Sequence, residues 1–175
     1  MSPDRLVLLP PLLIGSTVTV RPWESKDAAA LSMAWSDPDV IAGSDPPDDR
    51  SVGAAQKWIE GAQLRAEMLL AVDVVIAAPE DDRLMGEVGL SQIDLVRKAG
   101  MIGWWVAKED RGRHVGTDGV SILADWALQP GRLRNLIAEI APQNRASKRV
   151  AENAGFRPAG PVASRGTEIF VRSRK

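Results

Sequence analysis

Apolar residues recur along this chain with two periods, and the switches between them set its coarse organisation. Thr17–Arg21 alternates and is β-branched, which predicts a strand ended by Pro22. Ser25 or Asp27 is placed to cap a helix running to Trp35, with Ala28, Leu31, Ala34 and Trp35 on one face. Pro38, Gly43, Pro46 and Pro47 among acidic residues read as a loop overlying substrate, and Ser51 caps a second helix to about Glu67. Met68–Ala77 and Leu84–Gln92 read as strands joined by the polar turn Pro79–Arg83, and Gly100–Ala107 pairs next. The helix after Gly116 turns Val115, Ile122, Leu123, Trp126 and Ala127 inward and stops at Pro130-Gly131. Arg134–Ala141 is a further strand, Asn144–Asn153 the last helix with Gly155 as its left-handed cap, and Gly166–Arg172 the final strand.

This order predicts an α+β sandwich, a largely antiparallel sheet of six or seven strands with helices on both faces. At 175 residues the chain is expected to be a single domain, 1–175, burying roughly 70% of its unfolded surface. The net charge of -1 offers no global attraction to nucleic acid or anionic membrane. With no cysteine and one histidine, disulfides, thiolate nucleophiles and a Cys- or His-built metal cluster are excluded, so no metal is expected. Leu6–Ile14 after Arg5 has the look of a short signal-peptide core, but Pro10-Pro11 interrupts it and Gly15-Ser16 leads into a strand. The expected compartment is therefore the cytoplasm.

The chemistry is concentrated in Arg111-Gly112-Arg113-His114-Val115-Gly116-Thr117, a loop that delivers a helix N-terminus to the end of a strand. Such a terminus binds anions, because its first N–H groups lack intrahelical partners and its dipole favours negative charge. Phosphate is the obvious candidate. Gly112 and Gly116 allow close backbone approach or serve as plain turn residues, and both can hold together.

This loop, with Asn144-Arg145-Ala146-Ser147 and Gly155-Phe156 downstream, resembles the GNAT superfamily of acyl-CoA N-acyltransferases from about Thr17 to Val171. Arg111, Gly116 and Thr117 match the family's pyrophosphate loop, while His114 occupies its first glycine position. Asn144, Ser147, Val150, Ala151, Gly155 and Phe156 match the second signature. The opening Val18-Thr19-Val20-Arg21-Pro22-Trp23 is most similar to the branch containing ribosomal-protein N-terminal acetyltransferases. The resemblance implies a mixed sheet with a V-shaped splay between the strands at Gly100–Ala107 and Arg134–Ala141, where pantetheine binds like an added strand. It implies acetyl-CoA as co-substrate, held by Trp105, Val106, Ala107, Arg111, Gly112, Arg113, His114, Val115, Gly116, Thr117, Asn144 and Ser147. The implied reaction is direct acetyl transfer in a ternary complex to an amine: a protein N-terminus, a peptide or a small metabolite. A homodimer is compatible with it.

Each of these residues also has a plainer role. Arg111 and Arg113 suit phosphate as charge-assisted donors but could be solvated loop arginines. Asn144 suits pantetheine amides, yet stands where any helix wants an N-cap. His114 lies on the phosphate side, away from the acyl carbonyl, so it is read as tuning the cradle and not as a base. By resemblance, the N–H of Val106 or Trp105 stabilises the oxyanion. Glu87 is the best carboxylate for a base, since desolvation in a central strand would raise its pKa; the alternative is an exposed position beside glycines. Many relatives protonate the leaving thiolate with a tyrosine on the final helix, but the corresponding position is Ala151 and the chain has no tyrosine. Ser147 or water would supply the proton. These departures keep a second reading alive, a non-catalytic acyl-CoA-binding or sensory module. Adjacent Trp104 and Trp105 must face opposite sides of a strand, Trp23, Trp35 and Trp58 read as core, and Gly119 as a close helix–sheet approach. The acidic stretch Asp37–Asp49 hints at a cationic acceptor or is simply solvated.

Overall fold

The computed structural model describes residues 9–174. Among them, eight strands form one sheet: β1 Leu13–Ile14, β2 Thr19–Arg21, β3 Ala71–Ala77, β4 Leu84–Asp94, β5 Ala99–Val106, β6 Asn135–Ile140, β7 Arg157–Val162 and β8 Thr167–Ser173. Their spatial order is β1-β2-β3-β4-β5-β6-β8-β7. All neighbours are antiparallel except β5 and β6, which run parallel. The expected six strands are present, and β1 and β7 raise the count to eight. Residues 6–8 of the Leu6–Ile14 run lie outside the described residues, and Leu13–Ile14 pairs with β2. The β7 segment carries Pro158, Gly160 and Pro161, which read locally as turn chemistry. It is tolerated as a strand because it occupies the sheet edge, where half the backbone donors need no partner.

Period-two alternation in the buried strands divides the core. Val74 and Ile76 of β3 join Val88, Leu90 and Ile102 beneath α5 (Val115–Ala127), while α6 (Arg145–Asn153) adds Ala151 to the same cluster. Val75 and Ala77 face the other way, with Leu84 and Trp105, under α1 (Ala28–Ala34), α2 (Pro38–Ser44), α3 (Val52–Glu60) and α4 (Ala62–Glu67). Trp23 and Trp35 are buried in this second layer and Trp58 packs between them edge-on, at ring distances of 5.5 and 6.1 Å. Trp104 packs on the α5 side and Trp105 on the other, as adjacent strand residues must.

Two helical expectations change. The segment from Pro38 is not a loop: Asp37 caps it by accepting from the Asp39 N–H at 2.9 Å, and Pro38 starts the helix where its missing N–H costs nothing. The helix from Ser51 breaks at Gly61 into α3 and α4. One buried ion pair fixes the start of this layer. Arg21 donates from both terminal nitrogens to Asp27, at 2.8 and 2.9 Å, and from Nε to Asp82 at 2.6 Å, tying β2 to the first helical turn and to the β3–β4 turn.

Gly119 lets α5 descend onto β3. A Cβ there would come within 2.8 Å of Ile76 Cγ1, and closer still to Cδ1. Gly119→Ala gains about 1 kcal/mol of helix propensity but overpacks a filled core at a cost of about 1–3 kcal/mol. We expect a net loss near 1 kcal/mol on this balance, seen as a lower denaturant midpoint with unchanged slope. A higher midpoint would mean that Ile76 swings aside freely.

Candidate active site

The parallel pairing of β5 with β6 lasts only from Ala99–Asn135 to Met101–Ile137, after which the strands part. On its other side β5 stays paired with β4 to the Gly86–Val106 pair, and Ala107 N–H still donates to Met85 O at 2.8 Å. In an antiparallel ladder hydrogen-bonded and non-bonded pairs alternate, so Val106, next to the bonded Ala107–Met85 pair, turns its N–H and C=O away from β4 and into the gap. The Val106 carbonyl takes Arg111 Nε at 3.0 Å, which leaves the N–H. Gly86 permits this closeness: a Cβ on it would collide with the Trp105 carbonyl and stand 3.1 Å from Val106 Cα. Sequence reading did not single out Gly86, and a glycine inside a strand was the available signal.

The mouth of the gap is closed by the N-terminus of α5. His114 is its N-cap residue at φ 64°, the left-handed conformation that explains the glycine preference at this position, and its side chain makes no cap bond. The first helical residues are Val115, Gly116 and Thr117, and the first intrahelical donor is Asp118 N–H, to His114 O at 2.9 Å. Three N–H groups therefore remain for an anion. Gly116 is buried, and a Cβ on it would lie 3.2 Å from Val106 Cγ2 and 3.4 Å from Val150 Cγ2, so this glycine sets the distance between α5, β5 and α6. Gly112 is exposed at φ 73° with open space around it, a turn glycine. Ala107 follows the last residue of β5 and is the N-cap of the one-turn helix Lys108–Asp110 that leads into the loop.

The arginines divide. Arg111 donates Nη2 to Asp37 and Nη1 to Asp39, each at 2.7 Å, besides its bond to Val106. Its guanidinium is thus committed to clamping α2 against the end of β5. The same contacts correct the picture of Asp37–Asp49 as a freely solvated acidic stretch; the Asp39 N–H and then Arg111 hold Asp37 below the usual carboxylate range. Arg113 is largely exposed, with one 3.4 Å contact to the fully buried Asp110, whose main partner is Arg83 at 2.7 and 2.8 Å. Of the two loop arginines, Arg113 is the freer to meet a ligand.

On α6, Asn144 caps the helix by accepting from the Ser147 N–H at 3.0 Å. Half-buried Ser147 lies in the first turn, and Ala151 is fully buried with its methyl in the core.

Glu87 lies directly across from Trp105, one pair from Val106, and its Oε2 accepts from the indole Nε1 at 2.9 Å. It is half-buried on the α1–α4 face. Burial first, and then the neighbouring Asp73, push its pKa up to about 8, against the opposing pull of the Trp105 bond and of Arg65. Asp73 was missed from sequence although a charged residue in the apolar run Ala71–Ala77 is its own signal.

The tight contacts at Gly116 predict that Gly116→Asp, which adds bulk and a negative charge beside the three free N–H groups, lowers acetyl-CoA affinity at least tenfold. Unchanged affinity in a folded variant would move the anion site elsewhere. His114→Gly relieves a left-handed L-residue, so stability should rise by about 0.5–1 kcal/mol while acetyl-CoA affinity holds or improves. Thermal midpoint and calorimetric titration on the same variant read both quantities.

The sequence profile of the acetyltransferase (GNAT) domain matches residues 17–157. A probable N-acetyltransferase of Bacillus subtilis (strain 168), YjcK, is 32% identical over 165 residues, covering 90% of each chain. Among solved structures, Mycobacterium smegmatis RimJ in complex with CoA-disulfide superposes with a TM-score of 0.82 at 20% identity, over 95% of this chain and 88% of that one. The ribosomal L7/L12 α-N-protein acetyltransferase RimL in complex with coenzyme A gives 0.78 at 18% identity, over 93% and 98%. A parted parallel strand pair, an uncapped helix N-terminus at its mouth and a profile spanning most of the sequence agree: this chain belongs to the GNAT family of acetyl-CoA-dependent acetyltransferases.

Proposed function

We propose that the protein is a cytoplasmic N-acetyltransferase that moves the acetyl group of acetyl-CoA directly to the primary amine of a protein N-terminus, peptide or small metabolite, with Glu87 as the general base. The observation that carries this reading is the place of the Glu87 carboxyl, half-buried and bonded to Trp105 one residue pair from Val106. A carboxylate with a pKa near 8 is a far better proton acceptor for an ammonium than an ordinary one, because catalytic efficiency peaks when the base titrates close to the working pH. The Val106 N–H, turned into the gap, would receive the carbonyl oxygen as it gains charge. The N–H groups of Val115, Gly116 and Thr117, with Arg113 beside them, suit the pyrophosphate, and the side chains of Asn144 and Ser147 suit the pantetheine arm.

The chemistry balances with these groups. Glu87 takes a proton from the acceptor ammonium, the amine forms a C–N bond at the thioester carbonyl, the C–S bond breaks to release thiolate, and the second proton lost from nitrogen passes to the thiolate or to solvent through water. With Ala151 in place of a phenol, the thiolate leaves as such or takes a proton from water or Ser147. Neighbours of this fold include ribosomal-protein acetyltransferases, one of them an α-N-protein acetyltransferase, which favours a protein or peptide amine among the three acceptor classes.

Glu87→Gln should lower turnover by ~10²–10⁴-fold, leave acetyl-CoA affinity unchanged and abolish a pH-rate limb near 8. Thiol release with a panel of free-amine peptides and small amines provides the assay, and full turnover in Glu87→Gln would remove Glu87 from the mechanism. The same group predicts a stability trend. Its folded pKa, about 8, lies above the unfolded value, so the folded state holds the extra proton between roughly pH 4 and 8 and stability falls as pH rises through that window. Glu87→Gln should flatten that slope in denaturant titrations at pH 5 and pH 8.

A further inference from the structure

Asp73 belongs to no part of the acetyl-CoA site, yet it is a carboxylate in a central strand with only 15% of its side chain exposed. Its place is defined by three contacts. It pairs across the sheet with Gly89, two residues from Glu87 on the same face of β4. Its Oδ1 reaches over that glycine, 3.2 Å from where a Cβ on Gly89 would stand, so the missing side chain is what lets the carboxylate lean toward β4. Its Oδ2 accepts from Arg65 Nε at 3.0 Å. Arg65 is held in turn: Nη1 donates to the Trp58 carbonyl at 3.1 Å and the guanidinium stacks 4.2 Å above the Trp58 ring, which is itself wedged against Trp23 and Trp35. A rigid aromatic cluster thus fixes an arginine, the arginine fixes an aspartate, and the aspartate stands diagonally across from Glu87.

We propose that Asp73 is a positioning residue for the acetyl transfer, a fixed negative charge that makes Glu87 a stronger base, with Arg65 limiting how strong. The inference rests on Glu87 being the base. Among the described residues, the charged groups brought against Glu87 are Asp73 from β3 and Arg65 from α4, and β5 contributes only the neutral Trp105 donor. Like charges on diagonal cross-strand neighbours repel, and in a half-buried setting that repulsion is large enough to move a titration by about one pH unit. Arg65 opposes it by neutralising Asp73. A residue serving packing alone would not need a charge here, and the isosteric amide would serve as well.

The test is a ¹³C-carboxyl NMR titration of the full chain with labelled glutamate, the Glu87 signal being assigned by its loss in Glu87→Gln. In the wild-type chain the Glu87 midpoint should lie near 8. Asp73→Asn should lower it by about one pH unit, because the like charge is gone. Arg65→Met should raise the upper midpoint, because the remaining pair of carboxylates then shares a site without a counter-charge, and Arg65→Lys should restore it. Opposite movements from two partners of one ion pair are not what a loss of packing produces. Arg65→Met supplies an independent answer if Asp73→Asn does not fold. A raised wild-type midpoint that neither variant moves would overturn the role of Asp73 while leaving Glu87 as the base. A wild-type midpoint in the ordinary carboxylate range would instead undo the premise that Glu87 is a tuned base, and the proposal with it.

Discussion

The separation of β5 from β6 after three residue pairs is the constraint on which the rest of the site depends. A parallel ladder that continued to Val106 would consume the backbone groups of both strands and leave nothing to bind. Parted, it exposes one edge of β5 at Val106 in the middle of a sheet that is otherwise closed by pairing. The wedge is visible in the packing. Val106, Gly116 and Val150 meet at the mouth, so the N-terminus of α5 and the second turn of α6 pack together against the end of β5, beyond its last pair with β6. A glycine at 116 is required because the three elements converge there from three directions.

The two faces of the sheet have separate tasks. The α5 side places an uncapped helix end and its dipole beside the gap, an arrangement suited to a polyanion. The α1–α4 side carries Glu87, the proposed base, and Asp73, and burial raises the pKa of both carboxyls. Arg111 joins the two. It binds the Val106 carbonyl on the strand edge and Asp37 and Asp39 on α2, so the helix covering one face is latched to the backbone that opens onto the other. Its charge is neutralised by two carboxylates, which is why it contributes less positive potential to the loop than its place in the motif suggests.

Local physics was legible in the sequence. Helix caps at Ser51, Asn144 and Gly155 and the helix-opening loop 111–117 depend on neighbours within a few residues and stand where the pattern placed them, whereas the strands expected over Thr17–Arg21 and Met68–Ala77 begin later, at Thr19 and Ala71. The family resemblance rested on two such local segments. α2 was missed although its Asp-Pro start is an N-cap followed by an N1 proline, because later prolines dominated the reading. β7 was illegible because its residues obey turn chemistry and only the exposed sheet edge makes a strand of them.

What only the tertiary structure decided is the electrostatic character of the site. Glu87 could be named from sequence as a central-strand carboxylate that burial would raise, but how far it is buried, the added push of a β3 aspartate held by an α4 arginine, and the opposing bond from Trp105, 18 residues on, exist only in the folded chain. Arg111 reads as a phosphate ligand in its motif and proves to be bound to Asp37, 74 residues earlier in the chain. Caps and periods are short-range, set by backbone geometry within one or two turns. Charge interactions and desolvation depend on distance in space, and distances between remote residues exist only once the sheet has brought the strands together.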